Sequence, residues 1–108
     1  MKRSRQHVVV LVTAPGLPVA RKVAKAALRA RAAACANLVR GVESHYWWKG
    51  AIERSAEVLV MFKTTRARLS ALEAVVVEAH PYDTPEFVVL PIEAGSARYL
   101  AWVGESVA

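Results

Sequence analysis

The sequence predicts an α+β fold of the ferredoxin-like type: element order βαββαβ, an antiparallel sheet with helices on one face, and a short C-terminal helix. Apolar, β-branched runs alternate with segments whose apolar residues recur at helical spacing, and Gly- and Pro-containing turns separate them. The 108 residues fit one domain, and no repeat or linker divides them. We therefore assign residues 1–108 to a single domain that starts with a basic leader, residues 1–6, for which order and disorder are both open.

The first strand and the first helix are separated by a Pro- and Gly-containing loop. Val8 to Val12 is a continuous apolar run, typical of a strand buried on both faces. Pro18 suits the first turn of a helix, and we predict that helix from Pro18 to Ala33. Its apolar stripe consists of Val19, Val23, Ala26, Ala27 and Ala30.

Two long extended segments follow, from Cys35 to Trp48 and from Ile52 to Lys63, and a turn around Gly50 joins them as a hairpin. Gly41 predicts a bulge or bend in the first segment. Both segments are much longer than the ~5–6 residues of a mean strand, so we expect the hairpin to reach beyond its own domain. Its tip is aromatic, with Tyr46, Trp47 and Trp48.

Thr64 or Thr65 is predicted to cap the second helix, which ends at His80-Pro81 because a residue before proline is disfavoured in the helical region. The inner stripe of this helix is Leu69, Leu72, Val76 and Ala79.

A turn at Asp83-Thr84-Pro85 leads to the last strand, from Phe87 to Ile92, and Pro91 within it indicates an edge position. Ser96 is predicted to cap the terminal helix, whose apolar residues are Tyr99, Leu100, Trp102 and Val103.

Apolar residues occupy both faces of the predicted sheet. Leu59 and Met61 lie opposite the inner face of the second hairpin segment, and the first and last strands have no polar face either. Since helices can cover only one face, we predict an obligate homo-oligomer in which the sheets pack on each other and the hairpins pair with neighbours. The inner-face residues of that segment are Ile52, Ala56, Val58, Val60 and Phe62.

The charge is uneven along the chain. The formal net charge is +6, and all eight charged residues among the first 31 are basic. Because the first helix is apolar on its opposite face, we interpret its basic residues as a solvated face and predict neither nucleic acid nor a membrane as a partner. RNA-recognition modules of this element order also need aromatic residues on the central strands, and the first strand has none.

The single cysteine, Cys35, excludes an intramolecular disulfide and favours a reducing compartment, so we predict a cytoplasmic protein. No apolar stretch reaches the ~20 residues of a membrane helix. The N-terminus resembles a signal peptide, but its apolar run stops at Thr13 without a convincing cleavage site. We interpret it as a leader before a buried strand.

No motif of an enzyme class is present: GxSxG, the P-loop and GxGxxG are all missing. Cys35 lies among alanines, where a thiol is expected to stay neutral and inert. Asp83 and Glu86 lie in a Pro-flanked turn, where carboxylates are usually solvated. We therefore predict a protein that is not an enzyme.

His80 is the most informative of the three histidines. It lies at a helix end beside Tyr82, Asp83 and Glu86. A neutral imidazole there could ligate copper or zinc with carboxylate help, which makes His80 the candidate metal ligand. The alternative is a histidine that closes the helix end through its terminal carbonyls.

Six segments carry a resemblance to a known family: Val8–Pro15, Ala33–Leu38, Tyr46–Gly50, Glu57–Thr64, His80–Glu86 and Tyr99–Trp102. On these segments the sequence resembles the CutA family of divalent-cation tolerance proteins from Val8 to Trp102. The resemblance implies a very stable ferredoxin-like trimer, similar to the PII signalling proteins, with a role in tolerance of copper and other divalent metals. Some relatives proposed to bind copper have a Cys at the end of the first strand and two His before Pro-Tyr. Here Val12 and Ala79 occupy two of these positions, so the expected copper site is weak.

Two other functions remain open beside a homotrimer that takes divalent cations. A PII-like small-molecule sensor would use Lys63, Tyr82 and Glu86 at a cleft between subunits, with Lys63 holding an anionic group. The third hypothesis is a scaffold protein whose hairpins serve only in assembly.

Overall fold

The computed structural model describes all 108 residues. The strands are β1 (Lys2–Arg3), β2 (His7–Ala14), β3 (Cys35–Trp48), β4 (Ala51–Thr65), β5 (Val88–Pro91) and β6 (Ala94–Gly95). The helices are α1 (Leu17–Arg29), α2 (Leu69–Ala79) and α3 (Ala97–Ser106), and a 3₁₀ turn spans Arg66–Arg68.

The main sheet has the strand order β3-β4-β2-β5, and all its pairs are antiparallel. Together with α1 and α2 this arrangement confirms the predicted ferredoxin-like fold. β5 lies at an edge of the sheet, as Pro91 predicted, because an edge strand does not need the N–H that proline lacks.

The core lies between the helices and one face of the sheet. Every second residue of β2 is buried there, and so is the matching face of β4. α1 and α2 pack side by side above this face. The largest fully buried side chains are Phe62 and Leu72. The small residues of α1, Ala20, Ala24 and Ala27, are also buried, which brings that helix close to the sheet.

α1 ends at Arg29, not at the predicted Ala33. Arg31 has a φ of 53°, and the N–H groups of Arg31 and Ala32 bond back to Leu28 and Ala27, which is a Schellman motif. Arg68 further holds the end by donating to the carbonyls of Ala30 and Arg31. The usual glycine signal for this motif is absent from the sequence.

The prediction that Thr64 or Thr65 caps the second helix is wrong. β4 continues to Thr65, and the 3₁₀ turn stands between this strand and α2. The Thr64 hydroxyl donates instead to the Ala32 carbonyl at 2.7 Å, and Thr65 makes no capping bond. Two other local predictions are confirmed: Gly41 lies in a bulge with a φ of 77°, and the Ser96 side chain accepts a bond from the Tyr99 N–H.

The leader takes part in a second, two-stranded sheet, in which Lys2 and Arg3 of β1 pair with Gly95 and Ala94 of β6. His7 ties this region to α3. Its Nε2–H donates to the Leu100 carbonyl at 2.8 Å, while its Nδ1 accepts from the Ser4 hydroxyl at 2.6 Å.

The second face of the main sheet, which we call the open face, carries Leu11 and Leu59 and is covered at one end only. Cys35 and His7 belong to this face by their register, and both contact α3. The expectation that helices cover one face only is therefore wrong at this end. Other positions of the face are exposed: Val39 is 40% accessible, and Val88 and Leu90 are each 44% accessible.

The β3–β4 hairpin extends beyond the rest of the domain, as predicted. From Val42 to Glu57 its two arms pair only with each other, because β2 ends opposite Val58. Trp47 at the tip is 72% exposed and Ile52 is 67% exposed. The chain accordingly measures 44 Å in its longest dimension against 25 and 22 Å in the others.

Candidate functional site

The site begins where α2 ends. Pro81 keeps His80 out of the helix, in an extended conformation with φ −91° and ψ 137°, and the His80 ring turns back toward the end of β2. Its Nε2–H donates to the Thr13 carbonyl at 2.8 Å, and its Nδ1 accepts from the Tyr82 N–H at 3.2 Å. The ring is buried, with 6% of the residue accessible.

The next segment, residues 81–86, brings Tyr82 against the base of the hairpin. The Tyr82 hydroxyl donates to Glu57 Oε2 at 3.1 Å, and its ring lies 4.6 Å from the His80 ring. Burial raises the pKa of Tyr82, and the negative charge of Glu57 raises it further because an ionised phenol would repel the carboxylate.

Glu57 and Glu86 form the electrostatic centre of the site. Glu57 is only 8% accessible, and it lies on the open face where β4 leaves the sheet for the hairpin. Partial burial raises the pKa of Glu86, and the Glu57 charge raises it further. Two carboxylates that repel each other in this way would both be stabilised by a cation between them.

A cleft of about 720 Å³ lies between residues 82–86 and the hairpin. Three aromatic side chains line it, namely those of Tyr46, Trp48 and Tyr82, and Trp47 adds a fourth at the tip. No Lys or Arg is among its lining residues. Its carboxylates are those of Glu53, Glu57, Asp83 and Glu86, so the cleft attracts cations and disfavours anions.

Of the three residues predicted to share a ligand cleft, the structure brings together two within one subunit. Tyr82 and Glu86 both line the cleft. Lys63 lies six residues along β4 from Glu57, roughly 20 Å away at the usual strand rise, and it donates to the Asn37 side chain. Whether Lys63 meets the Tyr82 and Glu86 of another subunit stays a prediction.

The positions of the expected copper site do not provide further ligands. Val12 is fully buried in the core, and Ala79 packs against the core. Cys35 lies on the open face, with its Sγ 3.7 Å from the Tyr99 hydroxyl. No group of three His, Cys, Asp or Glu side chains is arranged to hold a metal ion.

Sequence reasoning missed Glu57 and Glu53 as members of the site. From the sequence, Glu57 was noted only as the first residue of the segment Glu57–Thr64, which resembles the family. The signal that could have singled it out is a charged residue two positions before Leu59, on the same strand face as Leu59 and Met61. Glu53 belongs to the hairpin arm, and only the fold of residues 82–86 against that arm gives it a role.

The chain matches a known family over most of its length, since the family model described as CutA1 divalent ion tolerance protein covers residues 8–106. The chain belongs to the CutA1 family. The rice protein named Protein CutA 1, chloroplastic is 40% identical over 99 residues, which are 92% of this chain and 56% of the rice protein. The Divalent-cation tolerance protein CutA of Pectobacterium atrosepticum is 40% identical over 100 residues, 93% of this chain and 91% of that protein.

Solved structures of other CutA1 proteins have the same fold. The divalent cation tolerance protein Cut A1 of Thermus thermophilus superposes with a TM-score of 0.91 at 43% identity, covering 93% of this chain and 97% of that one. This CutA1 chain has no helix with the length and hydropathy needed to span a membrane. The family is named for tolerance of divalent ions and not for a catalysed reaction.

Proposed function

We propose that this protein acts in divalent-cation tolerance as a homotrimer that binds divalent cations, and that it does so in the cytoplasm without catalysing a reaction. The observation that carries the proposal is the pair of repelling carboxylates, Glu57 and Glu86, in a cleft that no Lys or Arg lines. The cytoplasmic location rests on the single free cysteine, which suits a reducing compartment.

The homotrimer is supported by surfaces that one subunit leaves uncovered. Val39, Val88 and Leu90 are exposed on the open face, although such apolar patches in stable proteins usually mark interfaces. The outer hairpin is a two-stranded ribbon, which is marginally stable alone in water. Neighbouring subunits that pack on the open face and pair with the hairpin would bury the exposed apolar residues and stabilise the ribbon.

Sedimentation equilibrium tests the assembly. We expect a single species of three chain masses down to low micromolar concentration. A folded monomer at that concentration would contradict the homotrimer.

The chemistry of the donors indicates which cations the cleft would hold. Carboxylates prefer hard cations such as Mg²⁺ and Mn²⁺, whereas Cu(I) prefers thiolates, and no thiol lines the cleft. Two carboxylates from one chain leave most coordination positions to water or to another subunit. We therefore propose weak binding of divalent cations such as Mg²⁺, Mn²⁺ and Cu²⁺ at these carboxylates, and not a tight Cu(I) site.

Isothermal titration calorimetry of the metal-free protein with Mg²⁺, Mn²⁺ and Cu²⁺ tests this binding. Glu86→Gln should weaken Mn²⁺ binding about tenfold or more, because the variant loses one of the two charges. Glu73→Gln removes a carboxylate from the exposed side of α2 and should bind like the wild type. Equal affinities of both variants and the wild type would contradict a site at Glu86.

Metal ligation by His80 stays a prediction, and an unchanged affinity of His80→Ala in the same titration would contradict it. The sensor alternative requires an anion beside Tyr82 and Glu86, and the four carboxylates of the cleft argue against it. A titration with phosphate or a nucleotide that detects binding would favour the sensor over the cation site. If neither cations nor anions bind and the trimer forms, the scaffold would be the better description.

A further inference from the structure

His80 is held in one tautomer by its partners. The Tyr82 N–H can only donate, so His80 Nδ1 must be an acceptor without a hydrogen. The hydrogen is then on Nε2, which donates to the Thr13 carbonyl at 2.8 Å. Both ring nitrogens are therefore used within the protein, and a metal ion could reach His80 Nδ1 only after the bond from Tyr82 is broken.

These bonds connect the end of β2 to the carboxylate in the cleft. Thr13 is in β2, where it pairs with Leu59 of β4, so its carbonyl has a fixed position in the sheet. His80 bonds to this carbonyl and to the Tyr82 backbone, and its ring packs against the Tyr82 ring with centroids 4.6 Å apart. The Tyr82 hydroxyl in turn donates to Glu57 at 3.1 Å.

We propose that His80 is a positioning residue and not a metal ligand: it fixes Tyr82, and through the Tyr82 hydroxyl it sets the orientation of the Glu57 carboxylate in the cleft. This inference rests on the proposed cation site only in that Glu57 and Glu86 are the groups that meet the cation. Its structural part, the control of Tyr82 and Glu57 by His80, is independent of any ligand.

A double-mutant cycle separates a positioning role from a ligand role. If His80 acts through Tyr82, His80→Ala and Tyr82→Phe weaken Mn²⁺ binding by similar factors, about three- to tenfold. The double variant is then no weaker than the worse single variant. A ligand would behave differently, because His80→Ala would cost far more than Tyr82→Phe and the two losses would multiply. That result would overturn the proposal.

The His80 nitrogens can also be observed directly in the wild-type protein by long-range ¹⁵N–¹H NMR. We expect a protonated Nε2 and a bare Nδ1 in the metal-free protein, and no movement of either resonance when Zn²⁺ or Mg²⁺ is added. A shift of His80 Nδ1 on Zn²⁺ addition to the value of a coordinated nitrogen would overturn the proposal. This measurement needs no variant, so it holds even if His80→Ala fails to fold.

The contact between the Tyr82 ring and the Glu57 side chain gives a readout that needs no metal. Nuclear Overhauser effects between them should be present in the wild type and lost in His80→Gln, which keeps an amide donor but cannot reproduce both ring contacts. If the effects persist unchanged in His80→Gln, the positioning role is wrong. If the wild type binds no cation but these effects are lost as expected, the cation site fails and the positioning role of His80 stands.

Discussion

The polar side chains that are buried in the core all form hydrogen bonds. Thr64 is fully buried between the sheet and the end of α1, and its hydroxyl meets the Ala32 carbonyl at 2.7 Å. No buried side-chain nitrogen or oxygen lacks a partner. The Thr64 bond joins the end of the second hairpin arm to the chain that follows α1, so it links two elements far apart in sequence.

Thr64→Val removes this bond at nearly constant volume. We expect a loss of about 1–3 kcal/mol in the free energy of unfolding, because the Ala32 carbonyl is left buried without this partner. Thr65→Val is the matched control, since the neighbouring Thr65 side chain makes no capping bond and is only partly buried. Urea unfolding of both variants measures the difference, and equal stabilities would mean that the Thr64 bond contributes nothing.

Glu86 gives the metal-free protein a pH dependence of a defined sign. Its pKa is raised in the folded protein, so folding favours its protonated form. The stabilisation is complete below the ordinary pKa of a glutamate and is lost as the pH rises through the raised value. Glu86→Gln stays neutral, and we expect it to have a higher Tm than the wild type at pH 7 and a similar Tm at pH 4.

Thermal unfolding at the two pH values checks this prediction. A Glu86→Gln variant that is less stable than the wild type at pH 7 would show that the Glu86 charge is not repelled in the metal-free cleft. Glu73→Gln provides the comparison for removing one carboxylate from the exposed side of α2.

At this scale the sequence predicted some residues of the site and missed others for a physical reason. His80, Tyr82 and Glu86 lie within seven residues, so their proximity follows from the chain itself. Glu57 joins them only because residues 81–86 fold back onto β4, and this contact is a property of the tertiary structure. Lys63 has a suitable charge, but the rise of the strand carries it away from the cleft of its own subunit.

Among the elements, the hairpin turn depends most on backbone conformation. Lys49 and Gly50 have φ values of 50° and 80°, as in the two-residue turns whose twist matches that of the strands. A Cβ at Gly50 would meet nothing within 4 Å, so the only penalty of a side chain there is conformational.

Gly50→Ala should therefore lower stability by about 1 kcal/mol, as expected for a non-glycine residue in the left-handed region. Gly16→Ala is the control because Gly16 is extended, with a φ of 176°, and an added Cβ would make only ordinary contact with Pro18. Differential scanning calorimetry compares the two variants. Equal effects would indicate that the turn conformation at Gly50 carries no penalty.

Element order was predictable from hydrophobic periodicity, whereas two element ends were not. α1 ends in a Schellman motif with Arg31 at the position where glycine is the usual signal, so the sequence suggested a longer helix. The start of α2 was misplaced because Thr65 stays in β4, whose pairing with His7 outweighs the capping preference of threonine. In both cases tertiary contacts decided the boundary.

At the scale of the whole molecule, the sequence predicted that the open face is apolar, but it did not predict that α3 covers part of it. Leu59 and Met61 indicated its apolar character, but no residue pattern indicated that α3 packs on it. α3 reaches the face through bonds from His7 and Cys35, whose partners no local pattern could reveal. The remaining exposed surface lies toward β5 and the hairpin.

Leu90→Lys tests whether this surface holds subunits together. Leu90 pairs with Val9 on the open face and is 44% accessible in the single chain. Burying a lysine there without a partner is costly, so we expect the variant to dissociate into monomers at micromolar concentration. Val77→Lys places the same charge on the exposed side of α2, where Val77 is 52% accessible, and should remain a trimer.

Analytical ultracentrifugation of the two variants gives the comparison. A Leu90→Lys protein that sediments like the wild type would contradict an interface on this part of the open face.

The location of Cys35 supplies the chain with an internal reporter of its state of association. It is the only thiol, and it lies half-buried on the open face beside Tyr99. Strand pairing puts Cys35 in the same row of the open face as Leu90, so neighbouring subunits that cover this row would slow the reaction of a maleimide dye with the sulfur. The labelling rate would then follow subunit exchange in the unmodified protein, and Leu90→Lys should be labelled much faster than the wild type.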